Sequence, residues 1–250
     1  MRPLLLLHPL GSAGSFWDDL AAGWTGGPVV APDLPGHGSA PLPDPDAGVA
    51  GIAEHVLSAL DAAGTGPVDV VGVSLGGLVA QHLAAHAAHR VARVVLVDTV
   101  DVYPAPMREM WAERAHLART EGMAPLVEPT LEVWFTPGFR AERPDVVAAT
   151  TDTLLATDPE GYARACELLA GADLTAGPTA GGDPVAPPTL VVCGDGDGEP
   201  FRRAAADRLG PASGRDVVWL PGRHAVVLEQ PAAFADLLRR FLIDPAATPR

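Results

Sequence analysis

Six short apolar runs punctuate the chain: Leu4–Leu7, residues 29–31, Val68–Val73, Val91–Val97, residues 189–193 and residues 217–220. They show little alternation of apolar and polar positions, the pattern expected of strands covered on both faces. Helical stretches lie between them, around residues 50–63, 75–88 and 232–242. Strand–helix repetition predicts an α/β fold: a mostly parallel sheet with helices on both faces. The rhythm breaks between Asp98 and Thr189, where no convincing strand occurs. Four amphipathic helices are predicted there instead, near residues 105–120, 123–134, 144–157 and 159–170, with Pro and Gly between them. The chain therefore divides into a core, 1–100 and 174–250, and an inserted helical cap, 101–173. The Gly- and Pro-rich stretch 175–188 returns the chain to the sheet, and the tail 244–250 is expected to fray. There is no internal repeat.

Composition narrows this picture. The 250 residues are 48% hydrophobic, ample for one sizeable core. The formal net charge of −14 argues against nucleic acid or an acidic membrane surface as a partner. The chain contains no lysine, so any bound anion must be met by Arg, His or backbone N–H groups. Cys166 and Cys193 have no metal-ligand spacing and read as reduced core thiols. The N-terminal apolar run covers only Leu4–Leu7, shorter than the roughly 7–15 residues of a signal-peptide core. No run reaches the roughly 18 apolar residues of a membrane span. These features predict a soluble cytoplasmic protein, monomer or homodimer, that needs no metal or organic cofactor.

The chemistry concentrates in Gly72-Val73-Ser74-Leu75-Gly76, between a predicted strand and an Ala-rich helix. A strand-to-helix turn this tight strains the backbone of its central serine. Small residues two before and two after it avoid a clash. The hydroxyl is thereby raised above the sheet at a helix N-terminus, where the dipole favours developing negative charge. Ser74 is thus a candidate nucleophile, in need of a base and an acid in the order Ser, acid, His. Of eight histidines, His224 follows the last strand and precedes the final helix. His55, His82, His86, His89 and His116 lie on predicted helices or beside them, as surface or packing residues. The acid belongs after the preceding strand, in Cys193-Gly194-Asp195-Gly196-Asp197-Gly198-Glu199. Asp197 has the favoured offset, while Asp195, Glu199 and Asp98 are the competing carboxylates. An oxyanion hole takes two backbone N–H groups. Leu75 follows the nucleophile, and Leu10 is the natural second donor in the loop 8–12 because Pro9 has no N–H. His8 and His37 read as structural residues of that loop and of the turn 33–38.

With these residues placed, the chain resembles the α/β-hydrolase superfamily, and most closely the 3-oxoadipate enol-lactonases. The resemblance rests on Ser74-Leu75-Gly76-Gly77-Leu78-Val79-Ala80-Gln81, on the Gly-x-x-Asp stretch ending at Asp197, and on the cap. There Trp111-Ala112-Glu113-Arg114, Glu132-Val133-Trp134-Phe135-Thr136-Pro137, Phe139-Arg140 and Pro159-Glu160-Gly161-Tyr162 carry it. It implies an acyl-serine hydrolase of a small carboxylic ester or lactone, with 3-oxoadipate enol-lactone as the expected substrate. Trp134 would face the pocket, the alternative being packing between cap helices. Arg114 and Arg140 are the candidates to meet a substrate carboxylate. Departures from the pattern are the near-absence of chain before Leu4, His8-Pro9 in the oxyanion loop, and the Gly-rich stretch 175–188. Carboxylesterases, perhydrolases and carbon–carbon hydrolases share the scaffold, as do ligand receptors that turn over little.

Overall fold

A computed structural model describes residues 1–175, 187–210 and 216–243. The expected behaviour of the stretch 175–188, apart from its ends, and of the tail 244–250 lies outside these residues. Six parallel strands form one sheet: β1 (Leu4–Leu7), β2 (Val29–Val30), β3 (Val68–Val73), β4 (Val91–Val97), β5 (Thr189–Gly194) and β6 (Asp216–Leu220). Their order is β2-β1-β3-β4-β5-β6. The chain builds outward from β1 in one direction and returns to build in the other. Loops after β1 and β3 therefore diverge and leave a crevice at the carboxyl ends of the strands.

The two-residue period of a strand sends alternate side chains to opposite faces. Leu5, Leu7 and Val70 join one buried cluster, while Leu4, Leu6, Val71 and Val73 join another. Both faces are apolar, so the runs are continuous rather than alternating. Each fully buried leucine contributes roughly 1.5–3 kcal/mol relative to exposure. On the first face lie α2 (Gly48–Ala62) and α3 (Leu75–His86), through Ile52, Val56, Leu60, Leu78 and Leu83. On the second, Trp17 beside α1 (Asp18–Gly23) meets Phe234 of the C-terminal helix, with ring centroids 6.5 Å apart.

Among the described residues, the interval between β4 and β5 holds five helices: α4 (Ala105–Glu121), α5 (Ala124–Trp134), α6 (Pro137–Glu142), α7 (Pro144–Ala156) and α8 (Pro159–Gly171). Each has proline in its first turn, where a missing N–H costs nothing. The ends of the interval meet. Val102 bridges Asp173, and Leu174 N–H donates to Asp101 O at 2.9 Å. After β5 come α9 (Glu199–Arg203) and a π-helical turn at Ala204–Leu209; after β6 come α10 (Val226–Glu229) and α11 (Pro231–Leu242). Four short helices, α1, α6, α9 and α10, have no counterpart in the apolar pattern, and residue 31 falls outside β2. Elements of four to six residues are too short to display a 3.6 period. Among the described residues, no helix is long and apolar enough to cross a membrane.

The β3–α3 turn is the tightest join. A Cβ on Gly72 would lie 2.2 Å from Gly76 O, and one on Gly76 would lie 2.2 Å from Leu7 O. Both obstacles are backbone, so neither can swing away. Gly76→Ala is expected to lose about 3 kcal/mol or more of stability, read as the midpoint shift in urea unfolding. A shift of a few tenths would mean that the turn has room to relax.

Candidate active site

Ser74 occupies the residue before α3 with φ 53° and ψ −111°, outside the usual basins for an L residue. Its peptide is held from both sides: Ser74 N–H donates to Val97 O at 3.0 Å, and Thr99 Oγ1 donates to Ser74 O at 2.8 Å. The side chain is buried but lines a cavity of about 180 Å³. Leu10, Met107, Met110, Trp111, Arg114, Trp134, Tyr162, Phe201 and His224 also face it. The residues between β4 and β5 thus roof the carboxyl ends of the strands.

His224 lies in the loop after β6. Its Nδ1 stands 3.0 Å from Asp197 Oδ2, and both side chains are almost fully buried. The other Asp197 oxygen accepts from Gly198 N–H at 2.6 Å. A carboxylate at Nδ1 fixes the imidazole tautomer that presents Nε2 as a base. The two loops are pinned to each other. Gly196 N–H donates to Gly222 O at 2.8 Å, and Gly194 approaches Arg223 so closely that a Cβ would lie 2.5 Å from its carbonyl. The competing carboxylates have other partners. Asp195 accepts from Gly222 N–H at 3.2 Å, and Glu199 pairs with Arg203 in the open. Asp98, at φ 43°, accepts from Gly194 N–H at 2.8 Å, and its second oxygen has no hydrogen-bond partner among the described residues. Burial, reinforced by the Asp197 charge, pushes its pKa well above the carboxylate range, so Asp98 is held towards neutrality.

The roof also grips the histidine loop, a link with no sequence signal. The last carbonyls of α5 accept from it: Ala225 N–H to Trp134 O at 3.0 Å, and His224 N–H to Val133 O at 3.4 Å. Glu229 on α10 accepts from Thr136 N–H at 2.7 Å and from its hydroxyl at 2.6 Å, and also from Arg223 N–H. The Phe201 ring lies 4.4 Å from the imidazole.

The two expected oxyanion donors have free amides among the described residues. Leu75 is the first residue of α3, so its N–H has no intrahelical acceptor. Leu10 sits in a turn whose next residue, Gly11, has φ 71° and donates its N–H to His37 Nε2 at 3.0 Å. His8 works in the opposite direction: its Nε2 accepts from Leu34 N–H at 2.9 Å. The two rings meet edge to face at 5.2 Å. This pair cross-braces the loop after β1 against the turn that carries Asp33. Burial depresses both pKa values, to about 3 for His8 and about 4 for His37, so both rings are neutral acceptors.

Arg114 reaches the cavity. Its guanidinium donates to the Tyr162 hydroxyl at 3.0 Å and to Thr130 Oγ1 at 2.7 Å, and stacks near Trp111 and Tyr162. No carboxylate pairs with it among the described residues. Arg140 does not reach the cavity: it pairs with Glu128 at 2.7 Å on the outer surface of the roof. Trp134 is buried, lines the cavity and meets Phe16 edge to face. Tyr103 escaped the sequence reading. It is a buried residue between β4 and α4 whose hydroxyl has no hydrogen-bond partner among the described residues. Asp98, Cys193 and Asp197 approach closely enough to suggest metal ligands, but Asp197 is already engaged with His224.

Residues 4–237 match the model of a family described as the alpha/beta hydrolase family. The chain is 31% identical over 175 residues to 3-oxoadipate enol-lactonase 2 of Acinetobacter baylyi, covering 69% of this chain and 65% of that protein, just under two thirds of its length. It is 30% identical to pyrrolizixenacetamide deacetylase of Xenorhabdus hominickii across 96% of this chain and 90% of the other. The crystal structure of the enol-lactonase from Burkholderia xenovorans LB400 superposes with a TM-score of 0.85 at 30% identity, over 96% of this chain and 91% of that one.

The histidine brace has a pH signature. A group held neutral in the fold, with its pKa below the unfolded value of 6.5, adds stability that is full above pH 6.5. That stability is lost as pH falls towards about 4 and about 3, because the unfolded chain takes up the proton first. Each histidine is expected to steepen the loss by about 1.4 kcal/mol per pH unit within its window. Replacing His37 by Gln is expected to flatten the fall between pH 6.5 and 4, measured by urea unfolding at each pH. An unchanged slope would mean that His37 titrates normally.

Proposed function

The chain belongs to the alpha/beta hydrolase family, and from that premise we propose that it hydrolyses a small carboxylic ester or lactone through an acyl-serine, with 3-oxoadipate enol-lactone as the substrate that best fits. The observation that carries this reading is the 3.0 Å contact of His224 Nδ1 with Asp197, in a buried pair whose imidazole opens on the same cavity as Ser74. Ser74 attacks the carbonyl carbon while His224 takes its proton. The Leu10 and Leu75 amides receive the charge that gathers on the carbonyl oxygen. The enolate oxygen leaves readily because its charge is delocalised. The leaving enolate takes up the proton held on His224, which frees the imidazole. Water, deprotonated by it in turn, attacks the acyl carbon, and the imidazolium returns that proton to Oγ as the acid departs. Asp197 keeps the imidazole oriented and offsets its positive charge in between.

The lactone is favoured over other esters by Arg114. A half-buried cation tethered to two hydroxyls, with no carboxylate partner among the described residues, suits a substrate that carries its own free carboxylate. The helices of 101–173 then act as the cap that selects the substrate. The second reading, a carboxylesterase of neutral acyl groups, draws on the apolar remainder of the wall: Met107, Met110, Trp111, Val133 and Phe201.

Labelling by a fluorophosphonate probe is expected in the wild type and absent in Ser74→Ala. Persistent labelling would sink the assignment of the nucleophile. Asp197→Asn is expected to lower kcat by about 10⁴-fold. Arg114→Met separates the two substrates. It is expected to raise KM for the enol-lactone about 10- to 100-fold while leaving neutral aryl acetates nearly unaffected. An equal effect on both would favour the carboxylesterase.

A further inference from the structure

The cavity that holds Ser74 has a larger neighbour. A cleft of about 360 Å³ runs between residues 11–19 and one side of α7, with Ser12, Phe16, Val146, Ala149 and Thr150 in its walls. The cavity of Ser74 and His224 measures about 180 Å³. Among the described residues, Trp134 alone lines both spaces. Its indole is therefore the partition between them. Beside it the wall is closed by direct packing. The loop after β1 lies so near the roof that a Cβ on Gly11 would stand 2.5 Å from Leu154 Cδ1 and 3.1 Å from the Tyr162 ring. The indole is held on several sides. It meets Phe16 and Phe135 edge to face at 6.1 and 6.2 Å, and the Trp134 carbonyl accepts from Ala225 N–H at 3.0 Å.

We propose that Trp134 is a specificity-determining residue that confines the substrate to the smaller cavity, and that the cleft behind it is a latent subsite for the far end of a longer ester. This inference rests on the acyl-serine reading, but not on which ester is the substrate.

The two spaces differ in charge. The cavity holds the Arg114 guanidinium, which has no carboxylate partner among the described residues. In the cleft, Arg143 is taken up by Asp145 at 2.8 Å. Asp18 and Asp19 also line the cleft; both are exposed and have no ion pair among the described residues. The cleft therefore carries an excess of negative charge over an apolar floor of Phe16, Val146 and Leu228. A chain that reached it would do best with an apolar stem and an uncharged or cationic end. That is the opposite of the end suited to Arg114, so the partition divides two spaces of opposite preference.

Trp134→Leu opens the partition and keeps an apolar side chain. Acyl growth is read with p-nitrophenyl acetate to decanoate, and leaving-group growth with ethyl to octyl acetate. In the wild type, kcat/KM is expected to peak at the short end of both series. In Trp134→Leu the octanoate-to-acetate ratio, or the octyl-to-ethyl ratio, is expected to rise about 15- to 60-fold, from two or three methylenes at about fourfold each. Filling the cleft with Ala149→Phe in the same chain should cancel most of that gain. Relative to the wild type, Trp134→Leu should also come to favour a long substrate ending in ammonium over its carboxylate-ended counterpart by about 2- to 5-fold at low salt. Asp19→Asn should narrow that difference. If Trp134 serves packing alone, the melting temperature falls while both length ratios stay within about twofold, and the proposal is overturned. A gain that survives Ala149→Phe overturns it too, since the chain would then lie elsewhere. Should Trp134→Leu fail to fold, Trp134→Phe is expected to give a smaller gain in the same direction, and no gain there rejects the proposal. Wild-type protein that neither turns over esters nor labels with fluorophosphonate would refute the acyl-serine reading and this inference with it. Labelling with unchanged length ratios refutes this inference alone.

Discussion

The backbone of Ser74 sets the terms for everything around it. An L residue at φ 53° and ψ −111° costs of order 1–3 kcal/mol and persists only when its surroundings over-determine it. The surroundings are three strands. β3 delivers the residue, the end of β1 presses its Leu7 carbonyl against Gly76, and β4 accepts the Ser74 N–H through Val97. Thr99, just past β4, secures the carbonyl. A parallel sheet is what brings these three ends to one level. The strain is therefore imposed by the least deformable part of the molecule, and the hydroxyl it raises has little freedom to retreat.

The residues proposed to act with Ser74 are held differently. Asp197 and His224 stand on loops, and loops need cross-links to be exact. Here they come from each other, through Gly194, Gly196 and Gly222, and from above, through the end of α5 and Glu229. The unpaired carbonyls that every helix leaves at its C-terminus are used at α5 to hold the histidine loop. Roof and histidine loop are one hydrogen-bonded unit. The loop of Leu10 has its own brace in His8 and His37, two rings that serve as acceptors because burial keeps them uncharged.

How much of this the sequence displayed follows from how far each signal extends along the chain. The strands were legible because burial on both faces leaves an unbroken apolar run. Ser74 was legible because its turn demands glycine at two fixed offsets, and Asp197 and His224 because strand ends place them. The four long helices between β4 and β5 showed their period, whereas α1 and α6 were too short to have one. Arg114 and Arg140 looked equivalent in the sequence, since resemblance names residues without saying which face of a helix they occupy. Only the fold separates the one tethered to Tyr162 from the one paired with Glu128. Tyr103 carries no pattern at all. It stands between two elements, and its burial against Trp111 and Phe201 shows only in the fold.

The stem at Val102 and Asp173 has a wider consequence. The chain leaves the sheet and returns to it through two segments that already touch, joined by a bridge and by the Leu174 to Asp101 bond. The sheet registers the entry and exit of that excursion, not its length. An excursion closed at its base can lengthen, shorten or be exchanged for another at small entropic cost, since loop closure grows only slowly with length. The scaffold can thus trade one roof for another while its strained serine stays where it is. The limit on such exchange lies at the far end of α5, where any replacement must also supply two carbonyls for the histidine loop.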